Sequence, residues 1–360
     1  MHAITGTAGA TRSLRRLTLS VLAALALAAG LVSSPAHAAE ADTRGLFGAQ
    51  DPTYDGVYRQ SMAILGLTAV RAPVPGAAVD WLLRQQCSDG SFAAYRSDPS
   101  QPCGAPDPAN FTGPDTNSTA LAIMALRSVQ PTRAIPQVTL QRAARKASAW
   151  LARQQQAEGG WEWIAGLGPD SVSTAMSLAA LGRKGQPGFR TGAMWLRTQM
   201  TTSTQCGVPF SPGGTVDPLS TSWTLIGAQG SLPYARHRGP RAPVACTEPQ
   251  PSALAAGTWI ADALINGEGQ IPSAFTPDET DWNATALATL GISQLHGSTQ
   301  AMRLGVNALQ ANVLAYTTSG TGDMPAALGT LLLVAHATGA DPTDFGGVDL
   351  RRQLLASMQK

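Results

Sequence analysis

The chain has 360 residues, and its 25 basic and 23 acidic side chains give a formal net charge of +2. A hydrophobic content of 44% is that of an ordinary globular protein. The balanced charge and the scattered arginines argue against a nucleic-acid partner, which would call for a concentrated basic patch.

The first 38 residues are predicted to be a secretory signal peptide. Arg12, Arg15 and Arg16 precede an apolar run, LTLSVLAALALAAGLV, that is too short to span a membrane. An A-x-A cleavage site, AHA, follows at residues 36–38. We expect general secretion rather than twin-arginine export, because the residues around the paired arginines fit the twin-arginine signal weakly. The composition, rich in Ala, Arg and Gly and poor in Lys, is typical of a bacterial protein. We expect a secreted monomer without a membrane anchor.

Export gives the four cysteines a meaning, because disulfides persist in oxidising compartments. Four cysteines allow three pairings. We favour Cys87–Cys103 and Cys206–Cys246, because each pair brackets one loop rich in Pro and Gly. The alternative is a zinc site formed by Cys206, His237 and Cys246, but the close C-x-x-C or H-x-x-H spacing of such sites is missing. We expect no metal and no other cofactor.

Residues 39–50 are predicted to form a short flexible N-terminus, and residues 51–360 a single domain built from repeats. One repeated phrase reads Asp-x-x-Ser/Ala-Thr-Ala/Ser and continues into an apolar run. It begins at Asp115, Asp170, Asp217 and Asp281, with looser copies at Asp55 and Asp323. An aspartate in this place is typical of a helix N-cap, where its carboxylate accepts hydrogen bonds from free backbone amides. Because the runs are apolar on nearly every face, we expect six buried inner helices.

A second phrase alternates with the first and keeps one polar face, so it predicts outer helices. Its clearest copies contain WLLRQQ and WLARQQ, and the others are progressively weaker. The copies occupy residues 79–92, 148–161, 193–200, 257–269, 308–316 and 354–360. Gly90 and Gly159 are predicted to end their helices in a conformation that costs other residues more.

Six alternating pairs of helices are enough to close a ring, because each pair must bury its apolar face against its neighbours. We therefore predict an all-α fold, an α6/α6 toroid in which the last outer helix meets the first inner helix. An open superhelix is the alternative. No polar capping repeat is visible at either end, which favours closure, and the six aspartates should then share one rim.

The second phrase resembles the QW motif of squalene–hopene cyclases and their relatives. The matching residues are Trp81, Gln86, Gly90 and Phe92 in one copy and Trp150, Gln155, Gly159 and Trp161 in the other. The resemblance implies the α/α toroid of the terpenoid cyclase and protein prenyltransferase superfamily over roughly residues 50–360. It also implies that the Gln ties neighbouring outer helices together while the aromatic residue stacks on it. Such a fold does not by itself carry chemistry.

The proton donor of class II terpene cyclases is not matched. The resemblance implies a D-x-D-D-T-A phrase whose middle Asp protonates an alkene. The closest phrase here begins at Asp115, and the four copies of the phrase place Asn117, Val172, Leu219 and Asn283 at the donor position. None of these is an acid, which favours a protein that has lost this chemistry. The alternative is an enzyme that uses Asp115 or Asp281 as an unconventional acid.

Other activities of similar toroids also lack their residues. Protein prenyltransferases need zinc held by Asp, Cys and His, but no D-x-C phrase occurs, and His237, His296 and His336 stand alone. The Cys-Gly-Glu-Gln stretch of complement-type thioester domains is absent. The basic loop from Pro233 to Pro243 is interpreted as solvated.

A secreted polysaccharide-acting α6/α6 enzyme is a further alternative, and it would need two carboxylates across a cleft. The densest acidic cluster runs from Asp278 to Asp281 beside Trp282, and we interpret it as a loop and a helix cap. Tyr58, Trp223 and Trp282 are candidates to face a central cavity.

The rim of six aspartates could select a cationic or polyhydroxyl ligand, although capping alone explains their spacing. We therefore predict an exported toroid that binds a lipid, a terpenoid or another small apolar ligand in a central cavity, or a cell-surface partner.

Overall fold

The computed structural model describes residues 43–182, 187–201, 206–230, 236–244, 252–274 and 276–360. The predicted signal peptide lies outside them. Within these residues, thirteen α-helices and four two-stranded antiparallel hairpins form the fold. No helix in this part of the chain is long and apolar enough to cross a membrane.

The helices contribute most of the ordered backbone. They are α1 (Gly56–Ala69), α2 (Gly76–Arg84), α3 (Thr116–Ser128), α4 (Gln137–Arg153), α5 (Ser171–Leu181), α6 (Pro187–Thr201), α7 (Pro218–Gly227), α8 (Ala253–Asn266), α9 (Trp282–Gln294), α10 (Thr299–Ala311), α11 (Val313–Thr317), α12 (Pro325–Thr338) and α13 (Leu350–Ala356).

The hairpins, which the sequence patterns did not predict, join helices at four places. Their strands are β1 (Phe92–Ala93) with β2 (Pro114–Asp115), β3 (Trp161–Glu162) with β4 (Pro169–Asp170), β5 (Val208–Pro209) with β6 (Val216–Asp217), and β7 (Thr318–Ser319) with β8 (Gly322–Asp323).

Four helices begin at the predicted aspartates. The side chains of Asp115, Asp170, Asp217 and Asp281 each accept a hydrogen bond from the backbone N–H three residues later, at 2.7 or 2.8 Å. The threonine of the same phrase donates to the carbonyl of its aspartate and accepts from a backbone N–H in the segment before the helix. These threonines are Thr119, Thr174, Thr221 and Thr285. They therefore tie each helix to the segment that precedes it.

The expected caps at the two loose copies are wrong. Asp55 stands before α1 but makes no side-chain cap, and its Oδ1 lies 3.6 Å from Arg59 Nη1. At the other copy, α12 is preceded by Met324, and Asp323 Oδ1 accepts a hydrogen bond from Gln353 Nε2 at 2.7 Å. In both copies another side chain draws the carboxylate away from the helix amides.

Six helices contact one another in a closed cycle. In order these inner helices are α1, α3, α5, α7, α9 and α12, and α12 contacts α1. The whole of α5 is buried. A Cβ added to Gly66 would lie 2.5 Å from the carbonyl oxygen of Gly329, and one added to Gly227 would lie 2.5 Å from that of Ala175. Glycine at these places lets neighbouring inner helices approach backbone to backbone.

The helices α2, α4, α6, α8, α10 and α13 lie against the inner helices, and α4, α8 and α10 each contact two of them. One predicted boundary in this set is wrong: residues 308–316 are the end of α10 and most of α11 rather than one outer helix. Asn312 interrupts the run, and its side-chain amide donates to the carbonyl of Ala308 at 2.9 Å.

The glutamines of the second phrase join successive outer helices. Gln86 Nε2 donates to the carbonyl of Ala143 in α4 at 2.9 Å. Gln155 Nε2 donates to the carbonyl of Gly188 in α6, also at 2.9 Å. Each of these side chains thus satisfies a backbone carbonyl of the next outer helix, as the resemblance to the QW motif implies.

The glycines of this phrase are needed for two reasons. Gly90 and Gly159 have φ values of +100° and +104°, and a Cβ there would lie 2.6 and 2.7 Å from the backbone of the next outer helix.

Trp161 is fully buried, and its indole N–H donates to the carbonyl of Leu151 at 2.8 Å. The aromatic residues of the motif, Trp81, Trp150 and Trp161, are all buried.

A disulfide joins Cys87 and Cys103, as predicted. Cys246 lies outside the described residues, so its pairing with Cys206 stays a prediction. Cys206 has a positive φ of +56°, and the corresponding residues of two other repeats, Gly90 and Gly159, also have a positive φ.

Residues 43–50 are packed rather than flexible, contrary to the prediction. Leu46 and Phe47 are fully buried. The backbone of this segment pairs with residues 357–359 through N–H···O bonds of 2.8 and 2.9 Å. The buried side chain of Gln60 holds it from the inner side. The packed domain therefore begins before residue 51, and the two ends of the described chain are joined.

Candidate functional site at the start of the inner helices

The second residue of α7 faces the inside of the cycle. Gly227 approaches α5, and a Cβ at Gly291 of α9 would lie 3.1 Å from the carbonyl oxygen of Ser222. At about 100° per residue, Gly227 lies about 80° to one side of Leu219 around the helix axis, and Ser222 lies about 60° to the other side. Leu225, which lies near both Gly257 of α8 and Gly291 of α9, is about 120° away from Leu219. Leu219 therefore lies between the neighbouring inner helices and away from the outer one.

The residues at the same position of the other strict repeats are distant in sequence but lie at the same end of the inner helices. We call this surface the mouth and define it as Asn117, Val172, Leu219, Asn283 and Ala326, with Tyr58 and Tyr316. Most of these residues are partly exposed, and their neighbours on the inner helices are buried. The mouth is thus an apolar and aromatic surface that carries two amides.

Buried side chains lie one helical turn below the mouth. They are Leu121, Met176, Trp223 and Leu287, and none is more than 3% exposed. Trp223, a predicted cavity residue, is therefore core. Trp282 is partly buried beside Asn283. These buried side chains close the space below the mouth.

Two tyrosines and the two amides supply its polar groups. The Tyr316 hydroxyl donates to Asn283 Oδ1 at 3.0 Å. Burial raises the pKa of Tyr316. Burial and, to a smaller extent, the nearby charge of Asp55 raise the pKa of Tyr58 to about 12. Asn117 Oδ1 is buried and has no hydrogen-bond partner among the described residues. One acceptor of the mouth is thus left unused by the fold.

The carboxyls beside the mouth are buried. Burial raises the pKa of the Asp115 carboxyl to about 6 and that of Asp170 to about 7, against opposing hydrogen bonds from their own helix starts. Burial likewise raises the pKa of Asp217. These groups resist ionisation, and their oxygens are occupied by backbone amides.

Trp163, which the sequence patterns missed, lies beside two of these carboxyls. Its side chain opposes the rise in the pKa of Asp115, and its backbone opposes the rise in the pKa of Asp170. Its carbonyl accepts from the backbone N–H of Thr116 at 2.9 Å, and its ring stacks on Phe111 at 5.5 Å. Its position two residues after Trp161 was the only signal in the sequence.

The acidic cluster before α9 has the structure of a loop and a cap. Asp278 is exposed, and Glu279 accepts a hydrogen bond from the Thr276 hydroxyl at 2.8 Å. Asp281 caps α9 through the backbone N–H of Ala284 at 2.8 Å. Glu279 and Asp281 thus have local partners within the loop and the helix start.

Two of the histidines do not stand alone, contrary to the prediction. The ring centroids of His237 and His296 are 6.0 Å apart, at the opposite end of the inner helices from the mouth. The backbone N–H of His237 donates to the carbonyl of Ala337, and that of Arg241 donates to the carbonyl of His296. Burial, with the charges of Arg241, His237 and Arg238, lowers the pKa of His296. Among the described residues, no group of three His, Cys, Asp or Glu could hold a metal ion.

Comparison with known proteins shows the fold. No protein-family model and no curated protein matches the chain. Among solved structures, the ent-copalyl diphosphate synthase from Streptomyces platensis has a TM-score of 0.51 at 15% identity, and the match covers 79% of this chain and 50% of that one. The chain therefore spans about half the length of that enzyme.

A second solved structure matches over most of both chains. A variant of the type II terpene cyclase MstE from Scytonema, in complex with geranylgeranyl dihydroxybenzoate, has a TM-score of 0.53 at 14% identity, and the match covers 81% of this chain and 92% of that one. The chain thus has a terpenoid cyclase-like α/α-toroid fold.

Proposed function

We propose that this protein binds a small apolar ligand at the mouth and does not protonate it. The observation that carries the proposal is the inward position at the start of the four strict repeats, which holds Asn117, Val172, Leu219 and Asn283. None of these side chains is an acid. The adjacent carboxyls direct their oxygens to backbone amides, as expected of helix caps.

The side chains of the mouth suggest the class of ligand. Leu219, Tyr58 and Trp282 offer apolar and aromatic surface, and the amides of Asn117 and Asn283 add only a few polar groups to it. A ligand with a prenyl chain and few hydroxyl groups combines these features. MstE, which shares the fold, binds geranylgeranyl dihydroxybenzoate, a compound of this kind.

We also propose the finer architecture and the location. The closed cycle of six inner helices, with six further helices packed against it, supports an α6/α6 arrangement. The disulfide between Cys87 and Cys103 supports maturation in an oxidising compartment. Sequencing of the protein recovered from culture medium should find residue 39 at the N-terminus, and retention of the full chain inside cells would contradict export.

A second candidate is a cyclase-like enzyme in which Asp115 donates the proton. The pKa of about 6 would keep much of this carboxyl protonated in mildly acidic solution. Under this alternative, Asp115→Asn would abolish turnover although asparagine can still cap the helix.

A calorimetric titration with geranylgeraniol tests the binding proposal. Leu219→Trp fills the mouth with apolar bulk and should weaken binding about tenfold. Val138→Trp, at an exposed position of α4, is the matched control and should leave affinity unchanged. Equal affinities for the folded wild type and Leu219→Trp, or no binding by the wild type, would refute the mouth as the site.

A further inference from the structure

The connection between α7 and α8, residues 228–252, is much longer than the connections that follow the other inner helices. Residues 295–298 join α9 to α10, and even the connection from α12 to α13 spans only residues 339–349. Connections of this length are uncommon inside a compact domain, and many of them are functional. We call its central part, residues 236–244, the strap.

The strap binds the ends of two inner helices that do not flank it in the chain. The backbone N–H of His237 donates to the carbonyl of Ala337, in the last turn of α12, at 2.9 Å. The backbone N–H of Arg241 donates to the carbonyl of His296, just beyond the end of α9, at 2.6 Å. The strap therefore holds the ends of α12 and α9, although it leads from α7 to α8.

Two imidazole nitrogens accept hydrogen bonds from the backbone of the strap. The N–H of Arg238 donates to His296 Nδ1 at 3.1 Å, and the N–H of Gly239 donates to His237 Nδ1 at 3.3 Å. A ring nitrogen that accepts a hydrogen bond carries no proton, so both rings are neutral in this arrangement. His237 then has its proton on Nε2, which donates to the carbonyl of Gly297 at 3.0 Å.

The surroundings of the two rings offer a positive charge no partner. Burial lowers the pKa of His296, and the charges of Arg241, His237 and Arg238 lower it further, with no opposing carboxylate. The strap contacts or joins α7, α8, α9 and α12, and α10 begins directly after it meets His296. In these five helices the charged or titratable side chains are Asp262, Arg303 and His336. Asp262, the one carboxylate among them, is exposed in the third turn of α8 and does not shift the pKa of His296.

We propose that the strap is released by acid, when protonation of His237 and His296 frees it from the ends of α9 and α12. A proton added to either Nδ1 places an N–H against a backbone N–H, so the hydrogen bond is lost and the two groups repel each other. The new positive charge also lies beside Arg238 and Arg241, whose charges oppose it. Neutral rings therefore hold the strap, and charged rings expel it.

The direction of the pH dependence follows from His296. Its ordinary pKa of 6.5 applies when the strap is released, and a lower pKa applies when the strap is bound to the helix ends. The released form therefore takes up the proton more readily. The bound form is fully favoured above about pH 6.5, and the ratio of bound to released strap falls by up to about tenfold for each pH unit below that value.

Hydrogen exchange of single backbone amides, measured by NMR at pH 7.5 and pH 5.0, tests the proposal. The protection factors of Arg238 and Gly239, which correct for the intrinsic change of exchange rate with pH, should fall at least about tenfold at the lower pH. The N–H of Thr132 is the internal control, because it lies at the same end of the ring and donates to the carbonyl of Ile135 at 3.0 Å. Its protection factor should change less than about twofold.

Two double variants separate titration from packing. When His237→Asn and His296→Asn are combined, each Oδ1 stands where Nδ1 stood and accepts the same hydrogen bond without titrating, so protection should be equal at the two pH values. When His237→Ala and His296→Ala are combined, no acceptor remains, and protection should be low at both.

The wild type alone keeps the test decisive if a variant is unstable. The imidazole ¹⁵N shifts of His237 and His296 should titrate over the pH range in which the strap loses protection. Strap amides that stay protected at pH 5.0, a loss of protection without this titration, or an equal loss at Thr132 would overturn the proposal. A folded double asparagine variant that loses protection as the wild type does would also overturn it.

Discussion

The ring is built in two different ways, one at the four strict repeats and one where it closes between α12 and α1. A strict repeat starts on an aspartate cap and a threonine tie, both within one short phrase. The closure has neither. There, Asp55 pairs with Arg59 and Asp323 accepts from Gln353.

Long-range contacts replace the local ones at the closure. Gly66 and Gly329 bring the two helices together backbone to backbone. Gln60 binds the carbonyls of Gly45 and Ala78 and the backbone N–H of Phe47. In each strict repeat, the repeated phrase therefore holds the start of its own inner helix, whereas the closure depends on a few single residues.

The largest effect is expected at the glycine crossing. A Cβ at Gly329 would lie 2.3 Å from the carbonyl oxygen of Met62, so Gly329→Val would force α12 and α1 apart. We expect a loss of more than about 3 kcal/mol of unfolding free energy in urea. Gly76→Ala, at a helical glycine with open space around it, should cost less than about 0.5 kcal/mol. Similar urea midpoints for the two variants would show that the close approach of α12 and α1 does not require glycine.

The next largest loss of unfolding free energy is expected for Gln60→Leu. It would leave two carbonyls and one N–H without their partner in the core, for an expected cost of about 3 kcal/mol. Hydrogen exchange should show the backbone N–H of Phe47 losing protection first, ahead of the strict repeats. Uniform loss across the chain would mean that the closure is not a separate unit.

The buried carboxyls predict a pH dependence that belongs to the strict repeats. The pKa of Asp170 rises from 3.8 to about 7 on folding, so the folded state binds this proton more tightly than the unfolded chain. The contribution of this carboxyl to stability should therefore be largest below pH 4 and fall as pH rises to about 7, by on the order of 4 kcal/mol. Asp170→Asn keeps a capping side chain and should flatten this profile in urea titrations between pH 4 and 7.5. An unchanged slope would show that the carboxyl is ionised throughout.

The smallest effect is expected at a single threonine tie. Thr174→Val would leave the backbone N–H of Trp161 without its acceptor, at a cost of about 1 kcal/mol. Thr174→Ser keeps the hydroxyl and should lose less. If the two variants melt at the same temperature, the hydroxyl contributes nothing and only the methyl group matters.

The local part of the fold could be predicted from the sequence, and the part that depends on distant partners could not. The caps at Asp115 and Asp170 follow from one phrase, since a cap needs only its own helix. The roles of Trp163 and Gln60 depend on contacts with neighbouring repeats or with the far end of the chain. The direction in which Leu219 points required the packing of α7 against three neighbours.

The most direct test of the account is whether the protein changes a prenyl compound that it binds. Geranylgeraniol should be incubated with the wild-type protein and analysed by gas chromatography and NMR, because cyclisation would leave the mass unchanged. With asparagine, valine or leucine at the inward positions of the strict repeats, we predict recovery of unchanged compound. A cyclised product that disappears with Asp115→Asn would contradict this and make the protein an enzyme.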